Sequence, residues 1–293
     1  MGIVLGLAAA LCWGGSDFVA RFAVRRTGAF SALLAMQVIG LLALSVYLES
    51  TGGLSRGATL PGWEPWGLAV FAAVLNTIGS LALYYAFQVG VLAIVAPISS
   101  SYPAITIVLA LLGGERIHAL SAAGLGITLA GVILAAASVR PVEGGASSGK
   151  APGTRLMRGV GWSLVSTVSF GIMFWFLGFH VLPVMDAAVS VWAIRLSTAS
   201  LLLFAAVPAR QSLRISRGSV WWLLVIMGLM DTAAYVANNA GLHAGPVSVV
   251  TVIASMYGAV TVLLSSIFLR ERLRRSQWIG VALIFAGIVL VSL

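Results

Sequence analysis

Charge is scarce in this chain. Only 9% of its 293 residues are Asp, Glu, Lys or Arg, against 60% apolar. A soluble domain carries roughly 25% charged residues, because its surface must face water. Here 17 Lys and Arg and 8 Asp and Glu are too few to cover a globule of this size. Mean hydropathy reaches +1.06, so the solvent for most of the chain is lipid. Cysteine is nearly absent too. Cys12 stands alone, which excludes an intrachain disulfide and a cysteine metal cluster. It reads as a small apolar helix residue. Lysine occurs once, as Lys150, and Ala151 follows it where a Walker-type loop needs Ser or Thr, so ATP is not expected as a direct driver. His118, His180 and His243 sit near the ends of apolar runs without metal-ligand spacing. No cofactor and no metal are expected.

The net charge of +9 would suggest nucleic acid in a soluble protein. Here the basic residues sit at the ends of apolar runs, with no aromatic interleaving for base stacking. Nucleic acid is therefore not an expected partner. An intramembrane enzyme needs a nucleophile–base pair or a carboxylate cluster at one depth. Within the apolar runs no Ser and His lie one helical turn apart, and no two Asp share a helix. The chain is read as not an enzyme.

What is abundant is the long apolar run. A hydrocarbon core of about 30 Å needs about 20 apolar residues per helix. Such runs recur near 3–22, 29–48, 66–87, 91–112, 119–138, 159–181, 187–207, 220–242, 246–269 and 276–293. The expected fold is an all-α integral membrane protein of ten transmembrane helices. A β-barrel is excluded, because the runs lack the alternation of a barrel strand. No Lys or Arg precedes Arg21, so Met1–Gly15 reads as a retained first span rather than a cleaved signal. The longest connection contains Glu143-Gly144-Gly145-Ala146-Ser147-Ser148-Gly149 and reads as flexible. It divides the chain into a first five-helix unit (1–140), a linker (141–158) and a second unit (159–293).

The basic residues sort by side. Arg21, Arg25, Arg26, Arg140, Lys150, Arg155, Arg158, Arg210, Arg214, Arg217, Arg270, Arg272, Arg274 and Arg275 all fall in alternate loops. The opposite side holds Arg56 and Arg116, and Arg195 lies within a span. The positive-inside rule puts the rich side in the cytoplasm. Both termini are then expected on the non-cytoplasmic side of a multi-pass protein of the inner (plasma) membrane.

The halves resemble each other. Glu115-Arg116 is echoed by Glu271-Arg272, and Gly124 and Gly131 by Gly280 and Gly287, at one constant offset. One residue less of offset superposes Asn76, Ser80, Tyr84 and Gln88 on Asp231, Tyr235, Asn239 and His243, and Tyr102 on Tyr257. A five-helix repeat is odd-numbered, so its second copy inserts upside down. Inverted repeats are a transporter architecture, with the substrate site at the midplane.

Polar groups in a span point to the bundle interior or to a water-filled cavity. Asn76, Ser80 and Tyr84 share one helical face in the third span. Asp231, Tyr235, Asn238 and Asn239 occupy the corresponding face of the eighth. The fourth carries Ser99, Ser100 and Tyr102 between Pro97 and Pro103, whose freed carbonyls are candidates to line a cavity. Trp13, Ser16 and Asp17 in the first span, Ser166 and Trp175 in the sixth, Arg195 in the seventh and Tyr257 in the ninth complete the candidate substrate-binding set. Asp17, Asp231 and Arg195 are the ionisable members, read as substrate contacts or proton carriers. Their alternative is structural pairing, of Arg195 with either Asp, or of Asp17 with Arg21 one turn away. Glu115 and Glu271 are expected to cap the following helix or pair with the adjacent Arg. Trp63, Trp66, Trp221, Trp222 and Trp278 read as interfacial anchors.

The order of motifs resembles the EamA-type drug/metabolite transporter superfamily over nearly the whole chain. The first-half residues are Trp13-Gly14, Tyr85-Ala86, Pro103, Glu115, Gly124 and Leu129-Ala130-Gly131-Val132. The second-half residues are Arg195, Glu271, Gln277-Trp278-Ile279-Gly280 and Leu283-Ile284-Phe285-Ala286-Gly287. Two positions depart: Ala259 stands where a family-type proline is expected, and Phe170-Gly171 replaces Trp-Gly in the sixth span. The resemblance implies a secondary exporter of amino acids, neutral or aromatic, and related metabolites, similar to the bacterial YddG-like exporters and working by alternating access as a monomer. A multispecific drug or cation exporter of the same fold is the alternative. The expected partners are a small-molecule substrate and the lipid bilayer.

Overall fold

The computed structural model describes residues 1–58, 60, 62–90, 92–116, 118–137, 152–208, 210, 211, 218, 220–269 and 275–292. The linker core, Glu271 and the loop arginines Arg140, Arg214, Arg217, Arg270, Arg272 and Arg274 lie outside that set. All regular structure among the described residues is helical. In chain order the helices are α1 (Gly2–Thr27), α2 (Ala29–Ser50), the short α3 (Gly53–Ala58), α4 (Glu64–Val89), α5 (Leu92–Ser99), α6 (Pro103–Leu112) and α7 (Ala119–Ala137). Then follow α8 (Pro152–Phe176), a π-helical turn (Leu177–Val181), α9 (Ala187–Ala206), α10 (Val220–Ala244), α11 (Val247–Ala254), α12 (Tyr257–Phe268) and α13 (Arg275–Ser292). Among the described residues eight helical segments are long and apolar enough to cross a membrane, and two of them are the broken pairs α5–α6 and α11–α12. The chain is a multi-pass membrane protein. Helices α7 and α13, of 19 and 18 residues, pack on one another.

Local chemistry sets the turns. Gly28 alone separates α1 from α2, with φ 87°, a value that disfavours any Cβ. Asp186 caps α9 by accepting from the amides of Ala188 (2.9 Å) and Val189 (3.4 Å). Pro65 opens α4, where a missing N–H costs nothing.

Connections alternate between two faces. On one face Arg25 donates to the Gly90 carbonyl at 3.2 Å, tying the end of α1 to the end of α4. Gly90 also lies against Gly159 near the start of α8. On the other face Gly2 meets Gly241 and Val250, so the N-terminus sits beside the end of α10 and the start of α11. Trp63, Trp221, Trp222 and Trp278 are exposed at helix ends. Trp66 instead packs against the buried cluster and is not a free-standing anchor.

The breaks in α5–α6 and α11–α12 resemble each other. Each is a tight turn, with Ser101 N–H donating to Ile98 C=O and Met256 N–H to Ile253 C=O, both at 3.1 Å. Just past each break a Thr hydroxyl reaches the carbonyl of a helical glycine in the other half: Thr106 to Gly171 at 2.8 Å and Thr261 to Gly14 at 3.2 Å. Those glycines are required by proximity. A Cβ on Gly171 would stand 2.9 Å from the Tyr102 carbonyl oxygen, and one on Gly14 would stand 3.0 Å from that of Tyr257. The two breaks also touch. A Cβ on Gly258 would come within 2.2 Å of the Ser100 hydroxyl, and the rings of Tyr102 and Tyr257 stack with centroids 6.3 Å apart.

Candidate functional site: a cavity between the halves

The breaks place Tyr102 and Tyr257 against a cavity at mid-helix depth. Its lining is Trp13 and Asp17 from α1, Met36 and Gln37 from α2, and Asn76, Ser80, Leu83 and Tyr84 from α4. Phe170 and Phe174 come from α8, Val191, Ile194 and Arg195 from α9, and Asp231 and Tyr235 from α10. Both halves of the chain contribute about equally. The space free for water centres is about 50 Å³, room for roughly four waters.

One ion pair anchors the floor. Arg195 Nη2 donates to Asp231 Oδ2 at 2.6 Å. Its Nη1 donates to Gln37 Oε1 at 2.8 Å, and Trp13 Nε1 donates to the other Asp231 oxygen at 3.1 Å. Arg195 therefore takes Asp231 as its partner, and a low-dielectric site holds such charges only when they are matched in this way. Asp17 does not pair with Arg21. Its carboxylate, 7% exposed, makes no hydrogen bond or ion pair among the described residues and faces the cavity.

The hydroxyls are lightly held. Tyr84 donates to the Met36 sulfur (2.8 Å) and Tyr235 to the Met173 sulfur (3.2 Å). A thioether is a weak acceptor. The Tyr257 hydroxyl is buried without a partner. Tyr102 donates to the Thr251 carbonyl at 3.3 Å. Asn76 donates to Thr198 at 3.3 Å and accepts from Ser80 at 3.5 Å. Trp13, Phe174, Tyr235 and Tyr257 pack edge-to-face or tilted, with centroids 5.6 to 6.2 Å from the Trp13 ring.

Of the candidates read from sequence, Trp13, Asp17, Asn76, Ser80, Tyr84, Tyr102, Arg195, Asp231, Tyr235 and Tyr257 meet at this cavity. The other seven lie elsewhere. Ser16, one residue (about 100°) from Asp17, turns away and donates to the Met227 carbonyl at 3.2 Å. Ser100 fills the Pro97 carbonyl at 3.1 Å, while Ser99 is buried in the wall with no partner. Carbonyls at the break are met by hydroxyls: Ile98 C=O accepts from Ser101 (2.6 Å) and Thr167 (2.8 Å). Trp175 is rotated away from the Phe170–Phe174 face and packs on Phe179 and His180. Ser166 lies one turn below Phe170 on that face, past the end of the cavity, and its buried hydroxyl has no partner. Asn238 and Asn239 lie one turn beyond Tyr235, where Asn239 donates to Ser190 at 3.0 Å and Asn238 is buried unpartnered.

Sequence reasoning missed Met36, Gln37, Leu83, Phe170, Phe174, Val191 and Ile194. A signal existed for two of them. Gln37 is a lone amide inside an apolar span, and Phe170 is the counterpart of Trp13 in the second half. The aliphatic four carry no pattern that separates cavity wall from core.

Glu115 caps neither its own following helix nor Arg116. Its carboxylate accepts from the amide of Ser248 at 3.2 Å and from the Ser248 hydroxyl, at the N-terminus of α11. A carboxylate is favoured there by the unpaired amides and the helix dipole.

Comparison with known proteins places the geometry. A protein of Methanocaldococcus jannaschii, described as uncharacterized, is 32% identical over 110 residues, covering 38% of this chain and 77% of its own length. A crystal structure of another protein superposes with a TM-score of 0.74, covering 99% of this chain and 97% of its own, at 20% identity. That likeness is one of fold. The EamA-like transporter family matches twice, over residues 1–137 and 157–293. The chain belongs to the EamA-like transporter family, and so to the membrane transporters.

Proposed function

We propose that this chain is a secondary exporter of amino acids, neutral or aromatic, and of related small metabolites, working by alternating access. The observation that carries the reading is the mid-depth cavity walled by both halves, with aromatic rings beside amides, hydroxyls and a free carboxylate. Rings enclose an apolar side chain, and hydroxyls and amides meet its polar head. Arg195, the mid-span cation among the described residues, is already neutralised by Asp231, which argues against phosphorylated substrates.

Two five-helix units of opposite insertion, 1–140 and 159–293, would supply the motion. The double family match supports this reading, as do the paired Thr106–Gly171 and Thr261–Gly14 contacts. Counting α7 and α13 with the eight spans supports a ten-helix reading. The arginine asymmetry orients both termini to the non-cytoplasmic side of the inner membrane. The present cavity has room for only a few waters, so loading an amino acid requires its walls to part, which is the movement alternating access provides.

The unpaired Asp17 favours a second reading, export of hydrophobic cations by the same fold. Uptake into proteoliposomes, with labelled amino acids and cationic dyes, with and without a pH gradient, separates the two. Saturable transport of an amino acid supports the first. Dye transport with no amino-acid transport selects the second, and no transport of either class overturns both.

A further inference from the structure

The cavity contains three ionisable carboxylate or guanidinium groups, and they are not equivalent. Arg195 and Asp231 satisfy each other, and Gln37 and Trp13 occupy the next positions around them. Asp17 is left over. With both carboxyls ionised the cavity is one positive charge short of neutrality. A buried charge without a partner is costly, and that cost is met either by a proton on Asp17 or by a cation that enters beside it. The walls narrow the kind of cation. Trp13, one turn before Asp17, shares its helical face, and Tyr84 and Tyr257 line the same space. Aromatic faces attract ammonium groups and tolerate the apolar groups attached to them. The Tyr257 hydroxyl is buried and unpartnered, and the Tyr84 hydroxyl rests on sulfur. Both are placed to exchange a poor partner for a polar atom of an incoming molecule.

The geometry points to Asp17 as the ammonium site, with substrates that must carry a protonated amine next to an apolar or aromatic body. This rests on the cavity being the substrate site. Arg195 then is a positioning residue: it neutralises Asp231 and does not bind a substrate carboxylate. A deaminated acid of the same shape has no cation for Asp17 and meets an excess of negative charge. A small inorganic cation lacks the apolar body that the rings select.

The test uses three indole compounds that differ only in their charged groups: tryptamine, tryptophan and indole-3-propionate. Binding to the purified full chain in detergent is measured by calorimetry, with and without added sodium chloride as a control. Tryptamine and tryptophan are expected to bind at least tenfold more tightly than indole-3-propionate, and sodium is expected to leave them undisturbed. Asp17→Asn should level the series, and Asp17→Glu should restore most of it. Indole-3-propionate binding as tightly as tryptamine, competition by sodium, or no binding of any compound to the wild-type protein would each overturn the assignment. The wild-type series decides even if Asp17→Asn does not fold. Uptake of amino acids that Asp17→Asn leaves unchanged would sink the ammonium site while the transport reading stands. Amine binding without transport of any kind would do the reverse.

Discussion

Removing Arg195 should harm this protein more than removing its partner. The reason is the charge balance of the cavity. In the wild type one guanidinium faces two carboxylates, Asp231 at 2.6 Å and Asp17 in the same cavity. Arg195→Met leaves both carboxylates and no cation, takes a donor from Gln37, and strips Asp231 to its single bond from Trp13. Breaking a buried pair from one side costs about 3–5 kcal/mol. Asp231→Asn has a different outcome. Arg195 keeps Gln37, the new amide still accepts from Trp13, and Asp17 remains as a balancing carboxylate. The loss is then that of a charged hydrogen bond, about 1.5–3 kcal/mol. The double variant Arg195→Met/Asp231→Leu removes both charges and should recover to within about 1 kcal/mol of wild type, because apolar replacements of buried pairs are often neutral. Equilibrium unfolding in mixed micelles would measure all four proteins. Two results would refute the reasoning: Asp231→Asn as damaging as Arg195→Met, or a double variant whose loss is the sum of the singles.

Three further outcomes are expected. Gly258→Ala should destabilise by about 1–3 kcal/mol through overpacking, since its Cβ would meet Ser100 at 2.2 Å; Ser100→Gly in the same chain should return part of that loss in a melting curve. Glu115→Ala should free the start of α11 from the α6–α7 loop and raise the labelling rate of a cysteine placed at Ser248 by an impermeant maleimide, whereas Glu115→Gln, which keeps an acceptor, should raise it less. With Cys12 replaced by Ala, a cysteine at Gly62 should react with that reagent in intact cells and one at Gly218 should not; the opposite pattern would reverse the proposed orientation.

Spacing made part of the cavity legible. Asn76, Ser80 and Tyr84 stand four apart, as do Trp13 and Asp17, or Asp231 and Tyr235, and a four-residue step keeps a helical face. Periodicity gives azimuth, however, and not depth. Asn238 and Asn239 continue the Asp231–Tyr235 stripe but overshoot the cavity by a turn. Trp175 points away from the cavity, while Phe174 beside it has the right direction. The serines after Pro97 carry hydroxyls suited to a lining, yet Ser100 and Ser101 spend theirs on carbonyls of the break and Ser99 is buried away from the cavity. The cap on Glu115 was misplaced because its partner lies 133 residues away, and a local reading sees only neighbours. The helices themselves were legible from the outset, since lipid leaves the backbone few alternatives.

The touching interruptions in α5–α6 and α11–α12 have a consequence for movement. Each places its loosened backbone groups under side-chain hydroxyls carried by the same turn: Ser100 and Ser101 on one, and Ser255, which donates to Val252 C=O at 2.7 Å, on the other. Such an articulation carries its own lubricant. The half-helices can swivel about it without exposing a bare peptide group to hydrocarbon, and the Gly258–Ser100 contact keeps the two joints from sliding past each other.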